Sequence, residues 1–91
     1  MTVEHDRERH RFFVRHDDGE SELTYEPLGD GILDLQHTGV LRSMRGQGVA
    51  EELVQAALDF ARAEGNRIIP SCRFVASWVG AHPEAQDLLA R

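Results

Sequence analysis

Cysteine is nearly missing from this sequence: Cys72 is the only one in 91 residues. No internal disulfide can form, and such usage is typical of a reducing compartment, so a cytoplasmic location is expected. Long apolar runs are also lacking. None approaches the roughly 20 residues that cross a bilayer. The start, Met1-Thr2-Val3-Glu4-His5-Asp6, has neither the basic nor the apolar segment of a secretory signal, so no membrane partner is expected. Basic charge is in deficit, with 10 cationic against 16 acidic side chains and a net charge of −6. That balance argues against a nucleic-acid module, which carries a basic stripe. It also means that an anionic ligand needs a local site rather than a global field. The histidines His5, His10, His16, His37 and His82 do not have metal-ligand spacing, and no metal site is expected.

What is present fits one domain over residues 1–91. Hydrophobic content is 41% and charged content 29%, the balance of a globular chain. After a charge-rich start, expected to fray, Arg11-Phe12-Phe13-Val14-Arg15 reads as a strand. Asp17-Asp18-Gly19 is a hairpin signal. From Glu20 to Glu26 the chain alternates, with Leu23 and Tyr25 on one face and Glu22, Thr24 and Glu26 on the other. Pro27 ends this strand or marks its edge. Gly29-Asp30-Gly31 is a second turn. Ile32, Leu33 and Leu35, then Thr38 to Leu41, form a third strand.

At Gly46 the period changes. Val49, Leu53, Val54, Ala57, Leu58 and Ala61 recur at helical spacing. A helix is predicted from about Gly48 to Glu64, stopped by Gly65-Asn66. Arg67 to Pro70 is a short strand. Ser71 is the expected N-cap of a helix with Phe74, Val75, Trp78 and Val79 on its apolar stripe. His82-Pro83 breaks it, and a last short helix is expected over Glu84 to Ala90. The fold class is α+β. A three-stranded meander gains one parallel strand through a right-handed crossover, giving one mixed, mostly antiparallel sheet with two to three helices.

Arg45-Gly46-Gln47-Gly48-Val49-Ala50 joins a strand to the main helix. The two glycines remove Cβ atoms where a ligand must approach the backbone. The first free N–H groups of the helix and its dipole favour an anion there. Arg42 and Arg45 supply local positive charge. A pyrophosphate matches this geometry, although a G-x-G pair alone also fits a plain helix start. A Rossmann loop is excluded by the missing third glycine and downstream acid, and a Walker loop by the missing Gly-Lys-Ser/Thr.

Cys72 follows Pro70-Ser71, at the expected first turn of a helix and next to Arg73. Helix N-termini stabilise thiolates, so this is either a reactive thiol or a small buried hydrophobe. His37, just before the glycine loop, reads either as a general base or as a structural histidine bonded to backbone. His82 with Pro83 is a helix-break device. Phe74 and Trp78 read as core, with Trp78 also able to line an acyl pocket.

The Arg45–Ala50 loop resembles the acetyl-CoA pyrophosphate loop of GNAT-type (GCN5-related) acetyltransferases. His37-Thr38-Gly39-Val40 before it, and Pro70-Ser71-Cys72-Arg73-Phe74-Val75 with His82-Pro83-Glu84 after it, resemble a minimal-length branch of that family. The likeness runs from the Phe12 strand to Leu89. It implies an acetyl-CoA-dependent N-acetyltransferase acting on an amine, with protein and peptide amines among the candidate acceptors, and with no metal. The resemblance assigns Arg45, Gly46, Gln47, Gly48, Val49 and Ala50 to the cosubstrate, together with Thr38, Val40 and Arg42. It makes Cys72 an acetyl acceptor and leaves His37 as the candidate base. Gly39 departs from the family, where that position is often acidic. A non-catalytic acyl-CoA binding or sensing module shares the same loop, and a purely structural interaction domain would have no CoA affinity at all.

Overall fold

The computed structural model describes residues 1–90. Strands β1 (Glu4–Asp6), β2 (Arg11–His16), β3 (Gly19–Gly29) and β4 (Ile32–Gly39) are followed by helix α1 (Val49–Ala63), strand β5 (Arg67–Pro70) and helix α2 (Arg73–Gly80). Short 3-10 turns cover Arg42–Met44 and Pro83–Leu88. The five strands lie in chain order, β1 to β4 antiparallel and β5 parallel to β4. This is the expected α+β sheet with one more strand at its edge.

The extra strand corrects the expectation of a frayed start. Glu4–Asp6 pairs with Arg11–Phe13 because one residue anchors it. The His5 ring stacks on Phe12 at 4.0 Å and meets Phe60 edge-on at 4.5 Å. Its Nε2 lies 2.6 Å from the Tyr25 hydroxyl. Three further boundaries move. Pro27 lies inside β3, next to a register shift that absorbs its missing donor. Helix α2 starts one residue later than expected, so Cys72 is its N-cap and lies outside the first turn, without a side-chain cap bond. The last helix is a 3-10 segment from Pro83 to Leu88.

Helix α1 forms because Val49, Leu53, Val54, Ala57, Leu58 and Ala61 fall on one buried face. It ends where Gly65 turns left-handed at φ 71°. Asn66 N–H then bonds the Ala61 carbonyl at 2.8 Å and Gly65 N–H that of Arg62 at 3.2 Å, which satisfies carbonyls that the helix leaves open. The buried face packs on Phe12, Val14, Leu23, Tyr25, Leu33 and Leu35 of the sheet. Val75 and Val79 of α2 join the same core. Helices therefore cover one face only. On the outer face, Phe13 is shielded by Arg11, whose guanidinium lies 4.2 Å from the ring centroid, and by Arg15 at 5.4 Å. The extents of 38 × 30 × 19 Å fit this two-layer build, the thin axis crossing one sheet and one helix layer.

Candidate active site

The site begins where β4 outruns β5. Their pairing ends at Leu35 beside Pro70. Cys72 N–H bonds the Leu35 carbonyl at 2.9 Å, and α2 then turns away. Past Leu35, that side of β4 has no strand partner. The strand leads through Val40 and Leu41 into the 3-10 turn and the glycine loop.

Gly46 and Gly48 both adopt left-handed φ, +79° and +80°. A Cβ on either would meet nothing within 4 Å, so the space above the loop is open to a ligand. Gly48 is the N-cap of α1, and no side chain caps the helix. The first intrahelical bond is Glu52 N–H to the Gly48 carbonyl, 3.1 Å, which leaves the N–H groups of Val49, Ala50 and Glu51 without an intrahelical partner. Arg45 is exposed beside them. Glu51 and Glu52 in the first turn suit the dipole but oppose an anionic ligand, so Arg45 has to offset them.

Two adjoining cavities meet here. One, of about 310 Å³, lies over the loop between Met44, Arg45, Gly46, Gly48, Val49 and Glu51. The other, of about 550 Å³, follows β4 past His37, Thr38 and Gly39. Val40, Arg45, Ala50 and Phe74 line both. Of the residues expected from the sequence, His37, Thr38, Val40, Arg45, Gly46, Gly48, Val49 and Ala50 thus come together. Arg42 and Gln47 line neither cavity. The Gln47 amide instead donates to the Ser43 carbonyl at 3.4 Å.

Cys72 is half-buried and lines neither cavity, but its thiol donates to Thr38 Oγ1 at 3.5 Å. Burial pushes this thiol up and is the largest single influence. Hydrogen bonding with the Thr38 hydroxyl and with the backbone of Val75, Phe74 and Thr38 together outweighs it and holds the thiol below its ordinary range. His37 is exposed, and its Nε2 lies 3.1 Å from where a Cβ on Gly39 would be. The ring occupies the room that a side chain at 39 would need.

The two aromatics read as core part ways. Phe74 is exposed and walls both cavities. Trp78 packs against the core, as expected, and lines neither cavity. It stacks on His82 at 3.6 Å, and His82 Nδ1–H donates to the Trp78 carbonyl at 2.6 Å, closing the end of α2. Sequence reasoning also missed Glu20 and Glu22 on the larger cavity. Alternation assigns Glu22 to the outer face, but only the β3–β4 register brings it opposite Gly39.

With this geometry in hand, the class of protein is defined: the chain belongs to the GCN5-related N-acetyltransferase family, whose model matches residues 11–88. It is similar to Protein NATD1 of Bos taurus, 43% identical over 92 residues, 97% of this chain and 80% of that one. Against Protein NATD1 of Homo sapiens the identity is 42% with the same coverage. A solved relative, a GCN5-like candidate N-acetyltransferase from Staphylococcus aureus, superposes with a TM-score of 0.78 at 25% identity. The match covers 98% of this chain and 87% of that one. No group of three or more metal-binding side chains occurs among the described residues, and no helix among them is long and apolar enough to cross a membrane.

Proposed function

We propose that this protein transfers an acetyl group from acetyl-CoA to an amine, with the donor lying along the open edge of β4 and its pyrophosphate on the glycine loop. The observation that carries this reading is the continuity of the two cavities. They join an uncapped helix N-terminus to an unpaired strand edge, with Arg45 lining both. When bound, the cosubstrate supplies an activated acyl group as a thioester.

The chain's own residues do the rest. Backbone N–H groups of Val49, Ala50 and Glu51, with Arg45, hold the diphosphate. Thr38 to Val40 offers backbone hydrogen bonds to the pantetheine arm. Phe74 covers the arm and excludes water. Cys72, bonded to Thr38 beside that track, is the candidate acetyl carrier, and His37 the candidate base. Positioning supplies most of the rate, because attack on a thioester needs alignment more than acid–base power.

Calorimetry tests the donor site. Arg45→Glu should weaken acetyl-CoA binding about 10- to 100-fold, the loss of a charge-assisted contact plus an added repulsion. Its melting temperature without ligand should hold, since Arg45 is exposed. Equal affinity in variant and parent would remove the loop from the site. Gly48 is a poorer probe than the sequence implies. Its φ of +80° strains any other residue by roughly 1–2 kcal/mol, so a bulky replacement also perturbs the helix start. A binding-only module shares the same loop but moves no acetyl group to an amine. Release of CoA thiol in the presence of an amine separates the two.

A further inference from the structure

We infer that a cavity at the pole opposite the glycine loop is a second binding site, and that it takes a small aromatic carboxylate. The inference stands apart from the transferase reading, because none of its residues lines the two cavities of the donor site.

This cavity, of about 300 Å³, opens at the C-terminal end of α1, between the β1–β2 turn and the β3–β4 hairpin. Ile32 and Leu33 in its wall begin the eight-residue strand β4, whose other end, Gly39, borders the donor cavity. The two ends are about 23 Å apart at the usual rise of a strand, so a small ligand here does not touch the donor site. The volume lies at the lower end for small-molecule sites and suits a single ring.

Rings build much of the wall. Tyr25 and Phe60 have centroids 6.4 Å apart, inclined at 38°, and His10 lies 5.4 Å from Tyr25. The Tyr25 hydroxyl is already engaged with His5 Nε2 at 2.6 Å, so Tyr25 adds apolar surface. Tilted rings of this kind receive another ring edge-on or offset.

The charge of the rim selects an anion. The chain has 16 acidic side chains against 10 basic, yet no carboxylate side chain of the described residues lines this cavity, whereas Arg7 and His10 do. The Arg7 guanidinium lies 5.0 Å from the Phe60 ring centroid, a cation–π distance that holds it along the aromatic wall. The Glu64 carboxylate approaches it only to 3.8 Å, too far for a hydrogen bond. N–H groups of the guanidinium therefore remain for a second carboxylate, whose flat shape matches the guanidinium fork.

His10 is held beside Arg7 by the backbone. Asp6 Oδ1 accepts the N–H groups of Glu8 and Arg9, each at 3.1 Å. His10 then turns left-handed at φ 54°, and its carbonyl accepts the Tyr25 N–H at 2.9 Å. One turn thus carries both groups of the rim. Asn66, just past α1, adds an amide. Apolar walls with a few convergent polar groups are what a small-molecule site requires.

The test titrates phenylacetate into isotope-labelled full-length protein, beside its neutral twin 2-phenylethanol and the ring-free anion propionate. Phenylacetate should shift the backbone amides of His10, Tyr25 and Phe60 and leave those of Gly46 and Gly48 in place. Neither twin should do so at the same concentration. Arg7 is exposed, so Arg7→Gln should keep its melting temperature without ligand and weaken phenylacetate binding about ten-fold or more. His10→Asn, a residue that tolerates left-handed φ, should weaken it as well. Acetyl-CoA affinity should be unchanged in both variants. Equal shifts from either twin, no shift from phenylacetate, shifts at Gly46 and Gly48 instead, or unaltered phenylacetate affinity in Arg7→Gln would overturn the inference.

Discussion

Cys72 is pulled in two directions, and its reactivity depends on which prevails. Burial favours the neutral thiol, whereas the Thr38 hydroxyl and nearby backbone donors favour the thiolate and win. A thiol whose value is lowered carries more thiolate at neutral pH, and the thiolate is the nucleophile. Alkylation rate against pH should therefore show a midpoint below that of a free cysteine, and Thr38→Val should move it up. A parental midpoint at or above the free value would remove the reactive-thiol role. Composition makes a second measurement clean. All ten basic residues are arginine, so the described chain offers no lysine to self-acetylate. One acetyl mass gained on incubation with acetyl-CoA, and lost on treatment with hydroxylamine, places a thioester on Cys72. Undiminished transfer by Cys72→Ala would instead show direct attack on the bound donor.

At the scale of elements, the glycine loop is held from behind by the β2–β3 hairpin. Ser21 is fully buried, and its hydroxyl oxygen accepts the Leu41 N–H at 3.1 Å and lies 2.9 Å from His16 Nε2. Ser43 donates to Asp18 at 2.7 Å just beyond. Two bonds thus fix both ends of the stretch that turns β4 into the loop. Ser21→Ala removes the partner of the part-buried Leu41 N–H, at a cost of about 1–3 kcal/mol. The melting temperature should fall, and acetyl-CoA affinity measured well below it should fall as well. Retained affinity despite lost stability would mean that the latch serves folding alone.

This latch also marks the limit of what the sequence makes legible. Helix α1 is readable because six apolar residues repeat at one period and Gly65 stops it, all within a single segment. The glycine loop is readable for the same reason: its chemistry is local. Contacts between Ser21 and Leu41, or Glu22 and Gly39, join residues about 20 positions apart, and no periodicity reports them. Strand β1 escaped because its signal is a single ring, His5, whose partners Phe12, Tyr25 and Phe60 lie on three other elements. Phe74 and Trp78 share one apolar stripe, so helical spacing alone does not reveal which of them faces the cavities.

Across the whole molecule, charge sets up a conflict between near and far. The net charge of −6 repels a multiply anionic cosubstrate at long range, while Arg45 and the α1 N-terminus attract its phosphates at contact. Salt separates the two effects by distance. The screening length falls from about 30 Å at 0.01 M to about 10 Å at 0.1 M. The larger value is comparable with the longest molecular extent, 38 Å, so at low salt an approaching anion feels much of the acidic surface. At 0.1 M that repulsion is largely gone, while contacts over a few Å at the loop persist. The association rate of acetyl-CoA should therefore rise as salt increases over this range, the reverse of the usual steering of an anion to a basic protein. Arg45→Glu should steepen the rise at low salt, because it removes the local attraction that opposes repulsion. Stopped-flow measurements at a series of ionic strengths give the answer directly. A rate that falls steadily with salt would mean that the local positive field of the loop reaches beyond the acidic surface and governs approach as well as contact.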